Sequence, residues 1–253
     1  MNGVQQEKIQ RHYDDVADRY DHHYDRPRGR YYHTHLSRHI MESLPKTGLL
    51  LDIGCGTGLF VEKYMVECGT AVGIDISRGM IRQARRRCKG SELVIGTGEA
   101  IPFSDASFDA VASLLAFSYM RNPQGMLNEA FRVLKPGGTI AICTLGKKLL
   151  TCGVPAIYQI GERMRVNHLV VRDFGEHYYD EADMSTMFSA AGFTGIQTKW
   201  CSFAHIDLID PLFNLARKME PFVERRLPQL AYNICVSGTK TGQSLAEKPK
   251  KNF

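Results

Sequence analysis

The amino-acid sequence predicts an α/β fold in which a doubly wound, mostly parallel β-sheet carries helices on both faces. Between residues 49 and 145, short apolar runs alternate with amphipathic stretches of helical period, which is typical of βαβ units. A glycine-rich turn follows the first run, and the run at 108–115 is mostly apolar, as expected for a strand covered on both faces. The carboxyl ends of such strands meet at one edge of the sheet, where ligands bind.

The composition is that of a chain that can bury a large core. It has 253 residues, of which 43% are hydrophobic, and a net charge of +5 that permits an acidic partner without requiring one. Its seven cysteines include no CxxC pair, which favours a reducing compartment over a disulfide framework or a zinc site built on cysteines. The first residues are polar, and no apolar run approaches the roughly 20 residues of a membrane span. We therefore expect a soluble, cytoplasmic protein.

Two helices are predicted ahead of the sheet, and we interpret residues 1–44 as a helical lid on a main domain at 45–240. Pro27 and Gly29 mark the stretch between the two helices as a loop. Apolar and aromatic residues recur at helical spacing in two stripes. The stripes consist of Ile9, Tyr13, Val16 and Tyr20, and of Tyr32, Leu36, Ile40 and Leu44.

The elements of the alternating region follow from the same patterns. Ser77 is predicted to cap the second helix of this region, and the Lys-Pro-Gly-Gly stretch from Lys135 to end the third. The predicted strands are 49–53, 70–75, 92–96, 108–115 and 139–145, and the predicted helices are 59–68, 77–88 and 124–134.

The chain after residue 145 is less regular. A helix is predicted from its cap at Asp180 to Gly192, with strands near 196–204 and 231–238 and a disordered tail at 241–253.

Two insertions, at about 147–179 and 206–230, extend this part of the chain as cap segments. The second should form a helix that Pro221 kinks or splits. Its apolar face is predicted to be Leu212, Leu215, Ala216, Met219, Phe222 and Val223. Such a face must be buried, and it can close a cleft over a substrate, pack in the core or form a homodimer. Charges of both signs opposite it disfavour a membrane surface.

The turn after the first strand carries glycine at every second position. Gly54, Gly56 and Gly58 allow close backbone approach to a ligand, but a dinucleotide fingerprint would need Gly or Ala at 59, where Leu59 stands. Asp52 precedes the turn, where it would repel a pyrophosphate and attract a positively charged ligand.

The stretch Asp52-x-Gly54-x-Gly56-x-Gly58 resembles motif I of the class I S-adenosylmethionine-dependent methyltransferases. Asp75 ends the second strand at the spacing where an acid accepts bonds from both ribose hydroxyls, although a turn aspartate is the alternative. The segments 96–111 and 131–142 are similar to the family's adenine-side loop and fifth-strand entry. The resemblance covers about residues 49–145 and is nearest to the small-molecule group that includes quinone-ring C-methyltransferases, methyltransferase type 11.

This resemblance implies a Rossmann-like, seven-stranded sheet that ends in an antiparallel hairpin, and S-adenosylmethionine as cofactor. Thr97 replaces the family's common aspartate and should accept the adenine amine more weakly. The cofactor contacts that it implies are Asp52, Gly54, Cys55, Gly56, Asp75, Ile76, Met80, Thr97, Gly98 and Leu114, with Tyr13 and Tyr20 from the lid. For both tyrosines, a purely structural role in the helical stripe is the alternative.

Ser118 and Tyr119 stand where related enzymes often have two histidines, so they are candidates for the substrate side, or else they only end a strand. The Asn/Asp-Pro-Pro-Tyr/Phe stretch of several nucleic-acid and protein N-methyltransferases is missing after the fourth strand, and so is the Pro-Cys of cytosine methylation. We expect methyl transfer to a small, partly apolar molecule, with no catalytic base identified. The alternatives are an RNA or protein methyltransferase, or a non-catalytic module that binds the cofactor.

Two further clusters of residues have less specific readings. His35 and His39 share a helix face at a spacing that metal sites use, but the acid of an H-E-x-x-H motif is missing, so surface or lid histidines are favoured over the alternative of a metal site. The arginines of 82–87 lie opposite the apolar face of their helix, which favours a solvated surface over nucleic-acid binding.

Overall fold

The computed structural model describes residues 3–147, 176–206, 208 and 210–241. Its strands are β1 (Leu49–Ile53), β2 (Thr70–Asp75), β3 (Leu93–Ile95), β4 (Phe108–Leu114), β5 (Leu134–Leu145), β6 (Thr194–Cys201) and β7 (Asn233–Thr239). Its helices are α1 (Gly3–Val16), α2 (His22–Asp25), α3 (Pro27–Ser43), α4 (Leu59–Glu67), α5 (Arg78–Arg87), α6 (Pro123–Val133), α7 (Glu181–Ala190) and α8 (Asp210–Arg226).

The strands form one seven-stranded sheet in the order β3-β2-β1-β4-β5-β7-β6. β1 to β5 are parallel, whereas β7 runs antiparallel to both β5 and β6. This confirms the predicted Rossmann-like fold with its antiparallel hairpin. The strand order reverses at β1, which lies between β2 and β4, so a crevice opens at the carboxyl ends of these three strands.

Both faces of the sheet are buried, as the apolar strands predict. On one face, Leu51 and Ile53 pack in a cluster that includes Met126 and Leu127 of α6. On the other face, Leu50 packs in a second cluster with residues of α3, α4 and α5. Consecutive residues of β1 thus enter opposite cores, as the two-residue period of a strand requires.

The N-terminal region differs from the prediction in two places. α1 ends at Val16, so Tyr20 lies in the following turn rather than on the helical stripe. The predicted loop around Pro27 and Gly29 is instead helical, because Pro27 occupies the first turn of α3, where its missing N–H costs nothing.

The caps predicted from sequence are confirmed, with small shifts in strand bounds. Ser77 Oγ accepts the Met80 N–H at the start of α5, and Asp180 forms a capping box with Asp183 at the start of α7. β5 begins at Leu134, so the Lys-Pro-Gly-Gly stretch belongs to the strand and not to a turn before it.

The second insertion forms one helix, α8, which continues through Pro221 and is not split. Its predicted apolar face is divided between core and solvent. Ala216 and Val223 are buried, together with Glu220, which is 1% exposed. The exposed members are Leu212, Leu215, Met219 and Phe222. Most of the first insertion lies outside the described residues. The predicted tail lies outside them from residue 242 onward. None of the described helices is long and apolar enough to cross a membrane.

Candidate functional site

An open cavity lies at the carboxyl ends of β1, β2 and β4. Its walls come from the glycine turn, the segments after β2, β3 and β4, and the N-terminal helix α1. Eleven of the predicted site residues line it. They are Tyr13, Tyr20, Gly54, Gly56, Asp75, Ile76, Met80, Thr97, Gly98, Leu114 and Tyr119.

The glycine turn brings bare backbone to the cavity wall. Gly54 and Gly56 have φ angles of 75° and 54°, in the left-handed region that favours glycine. A Cβ atom on Gly54 would lie 2.2 Å from that of Ala116, so the β1 and β4 turns could not approach each other. A Cβ on Gly56 would meet nothing within 4 Å, and this open side is available to a ligand.

Asp75 holds the turn and faces the cavity at once. Its Oδ2 accepts the Gly56 N–H at 2.9 Å, and its Oδ1 accepts the Ser77 N–H at 2.8 Å. Burial raises the pKa of Asp75, and these backbone bonds only partly offset the rise. Because each carboxylate oxygen has a second lone pair, Asp75 can hold the turn and still accept two ligand hydroxyls. The two roles considered for Asp75, binding of the ribose hydroxyls and holding the turn, are therefore compatible.

Asp52 and Cys55 are buried behind the cavity and are not among its lining residues. Asp52 is 1% exposed, and its Oδ1 has no hydrogen-bond partner among the described residues. Burial, and then the neighbouring Asp75, raise the pKa of Asp52 to about 8. Near neutral pH much of Asp52 is thus protonated, and a cationic ligand nearby would favour its ionisation.

Three tyrosines from distant parts of the chain meet at one end of the cavity. The ring of Tyr13 lies edge-on to Tyr20 and to Tyr119, with both pairs of centroids 6.2 Å apart. Burial is the largest cause of the raised pKa of each phenol, so all three are neutral hydrogen-bonding groups at physiological pH. The predicted partner Ser118 points elsewhere: its Oγ lies 2.6 Å from Thr144 Oγ1 and accepts the Leu145 N–H.

The helix α1 is fastened to the cavity edge of the sheet by Asp14. Its Oδ1 accepts the Ser77 hydroxyl at 2.7 Å and the Gly79 N–H at 2.8 Å. A carboxylate from α1 therefore binds the N-terminus of α5, where the helix dipole favours negative charge. A Cβ atom on Gly79 would come within 2.8 Å of Ala17, so glycine lets the two helices touch.

Nine lining residues were not predicted from the sequence. Most directly follow strands β3 and β4, and their position at strand ends was a signal that could have identified them. Gln6 and Ile9 of α1 carried no such signal, because only tertiary packing brings α1 to the cavity. The nine are Gln6, Ile9, Ile74, Gly96, Glu99, Leu115, Ala116, Met120 and Arg121.

Comparison with known proteins places the chain in a family. Residues 51–142 match the model of a methyltransferase domain. The demethylmenaquinone methyltransferase of Tropheryma whipplei is 30% identical over 172 residues, which cover 63% of this chain and 72% of the relative. The malonyl-[acyl-carrier protein] O-methyltransferase of Methylococcus capsulatus is 35% identical over 128 residues, 46% of each chain.

The fold also matches a solved structure. A SAM-dependent methyltransferase of Thermotoga maritima superimposes with a TM-score of 0.65 at 20% identity, covering 90% of this chain and 95% of that one. The sequence motifs, the sheet order and the extent of these alignments agree. The chain belongs to the methyltransferase-domain family of S-adenosylmethionine-dependent enzymes, and its cofactor is S-adenosylmethionine.

Proposed function

We propose that this enzyme transfers the methyl group to a small, partly apolar acceptor, which is bound at the tyrosine-lined end of the cavity. The observation that carries the proposal is the character of that end, where Tyr13, Tyr20 and Tyr119 adjoin Ile9 and Met120. Of the described lining residues, the charged ones are Asp75, Glu99 and Arg121. Such a wall suits an apolar ring or chain with few polar groups.

In the proposed cofactor pose, the adenosine lies at the ends of β2 and β3. Asp75 accepts the two ribose hydroxyls, Ile76 and Met80 pack on the adenine, and Thr97 with Gly98 borders its edge. The methionine end passes the bare backbone of Gly56 toward the tyrosines. The electron-rich faces of these rings favour a cationic sulfonium.

The sulfonium of the cofactor supplies the activated methyl group, which is transferred by in-line displacement. The protein then has to align the acceptor with that methyl group and exclude water. Gln6, Ile9 and Tyr13 of α1 line the cavity, where they can exclude water. We assign lid function to α1 and the Tyr20 turn. The described residues of α8 do not line the cavity, and the proposed cap role of 147–179 and 206–230 rests on the sequence alone.

The names of the relatives support an acceptor of this class. A demethylmenaquinone methyltransferase acts, by its name, on a quinone, which combines an apolar body with a polar ring. A malonyl-[acyl-carrier protein] O-methyltransferase would instead take a carrier-bound acid, which makes such an acid the second candidate. RNA is less suited, because Arg121 is the one basic side chain among the described lining residues. We place the reaction in the cytoplasm.

The first test of this proposal is acceptor choice, measured as release of S-adenosylhomocysteine with quinols, carrier-bound malonate and RNA. Tyr119→Phe removes one hydroxyl, and Tyr119→Ala removes the ring. We expect turnover with quinols. In Tyr119→Ala the turnover rate should fall by about 10-fold or more, because the acceptor is no longer aligned with the methyl group, whereas cofactor affinity should change much less. Tyr119→Phe should retain more activity than Tyr119→Ala. Turnover on RNA alone, or equal rates in both variants, would contradict the assignment.

A further inference from the structure

We propose that His35, His39 and Glu224 form a zinc site that fastens helix α8 to helix α3. The two histidines are one turn apart on α3, and Glu224 lies on α8. None of the three lines the methyltransferase cavity, so the site is structural rather than catalytic.

The three donor atoms have separations close to those of a tetrahedral shell. Zinc–nitrogen bonds of about 2.0 Å place neighbouring ligand atoms about 3.3 Å apart. His35 Nε2 lies 3.2 Å from His39 Nε2, and His39 Nε2 lies 3.3 Å from Glu224 Oε1. The 2.7 Å from His35 Nε2 to Glu224 Oε1 must lengthen. Glu220 Oε1 lies 3.4 Å from His35 Nε2 and accepts the Phe203 N–H at 2.8 Å, so Glu220 adjoins the three ligands.

The burial and charge of the cluster suit a divalent cation. His35, His39 and Glu220 are nearly inaccessible to solvent, and the Glu224 side chain is 12% exposed. Two buried carboxylates facing two imidazoles leave negative charge that is costly without a counter-charge. A 2+ ion balances both carboxylates.

The surroundings already hold the ligands in place. Glu224 Oε1 accepts the Ser202 N–H at 3.1 Å, and the adjoining Glu220 accepts the Tyr31 hydroxyl at 2.6 Å. His39 Nδ1 is buried without a hydrogen-bond partner among the described residues, and it lies 3.7 Å from a Glu42 carboxylate oxygen. A histidine bound to metal through Nε2 carries its proton on Nδ1, and this N–H donates a hydrogen bond to such a carboxylate.

Arg38 distinguishes the metal-free from the metal-bound arrangement. Its Nη2 lies 2.9 Å from His35 Nδ1, and because arginine only donates, it places the His35 proton on Nε2. That tautomer hydrogen-bonds to Glu224 and cannot bind zinc. Arg38 is on the surface and free to swing aside, so it competes with the ion for His35. Removing its guanidinium should strengthen zinc binding.

The test is a zinc titration of the full-length, reduced, chelator-treated protein against a chromophoric chelator. We expect one zinc ion per chain, about 100-fold weaker binding in His39→Gln and Glu224→Gln, and roughly 10-fold tighter binding in Arg38→Met. Zinc should raise the melting temperature of the wild type but not of Glu224→Gln. His33→Gln, on the same helix but outside the cluster, is the matched control and should bind as the wild type does.

A second cluster, of the buried cysteines Cys143, Cys201 and Cys235, must be distinguished from this one. Cys201→Ser should leave zinc affinity unchanged, and X-ray absorption at the zinc edge should show nitrogen and oxygen neighbours only. A sulfur shell, loss of binding in Cys201→Ser, or equal affinity in the wild type and Glu224→Gln would overturn the proposal. Arg38→Met and the absorption spectrum decide the matter even if Glu224→Gln fails to fold.

Discussion

At the scale of single residues, the acids of the glycine turn have separate environments and separate tasks. Asp75 is satisfied by two backbone N–H groups and faces the cavity, whereas Asp52 is sealed behind it with an unpartnered oxygen. The difference follows from position: Asp52 is inside β1, where its neighbours are sheet residues, and Asp75 is the last residue of β2. Each position leads to its own prediction.

Asp75→Ala should weaken the binding of S-adenosylhomocysteine by about 2 to 4 kcal/mol, because two hydrogen bonds to a charged acceptor are lost. Isothermal calorimetry measures the affinity, and thermal melting checks that the fold survives. Asp75→Asn keeps the shape of the side chain but lacks its charge, so its affinity for S-adenosylhomocysteine should lie between those of the wild type and Asp75→Ala. An unchanged dissociation constant in a folded Asp75→Ala would restrict Asp75 to holding the turn.

Asp52 should make the stability of the ligand-free enzyme depend on pH. Because its folded pKa of about 8 lies above the unfolded value, the folded state holds a proton that the unfolded state has released between about pH 4 and 8. Unfolding free energy should therefore fall as pH rises through this window, by up to about 1.4 kcal/mol per unit. Asp52→Asn should remove this contribution.

The measurement is urea denaturation of both proteins from pH 5 to 9. The advantage of Asp52→Asn over the wild type should grow up to about pH 8 and then level off. A constant difference across the range would show that Asp52 does not titrate there.

At the scale of secondary-structure elements, α1 and α8 are each positioned by a few contacts with the helices they pack against. α1 reaches the cavity only because Asp14 binds the N-terminus of α5 and Gly79 admits Ala17. α8 reaches α3 through Tyr31, whose ring lies edge-on to Phe213, and through the histidine–glutamate cluster. Both helices thus depend on polar contacts as well as on apolar packing.

Asp14→Ala should loosen α1 and weaken the binding of S-adenosylhomocysteine by about 1 to 2 kcal/mol. The reason is that α1 is then packed against the cavity in a smaller fraction of the molecules. Asp15→Ala is the matched control, because Asp15 is the exposed neighbour on the same helix with the same charge. Calorimetry of the two variants should separate them. Equal affinities would mean that α1 contributes nothing to cofactor binding.

At the scale of the whole molecule, the strand order places Asp52 near the end of β1 and Asp75 at the end of the adjacent β2, around the crevice. We expect calorimetry to detect binding of S-adenosylhomocysteine and no binding of NAD under the same conditions. Leu59 stands where the dinucleotide fingerprint needs Gly or Ala, and Asp52 ionises more readily beside a cationic ligand than beside a pyrophosphate. Comparable NAD affinity would contradict this account.

Much of the molecule follows from the sequence because its signals are local. The strand–turn–helix alternation, the caps at Ser77 and Asp180 and the glycine turn each depend on residues within a few positions of one another. Hydrogen bonds of that range form whatever the distant chain does. For the same reason most of the predicted site residues, which lie at or near strand ends, do line the cavity.

The tertiary structure alone decided which distant side chains meet. A helical stripe shows that one face is buried but not against what, and Glu220, which lies outside the predicted apolar face of the second insertion, is 1% exposed. His35 contacts Glu224, which is 189 positions away in the sequence, and the ring of Tyr13 packs against that of Tyr119 at one end of the cavity. Burial of a polar group depends on the partner that satisfies it, and that partner is known only once the elements have packed.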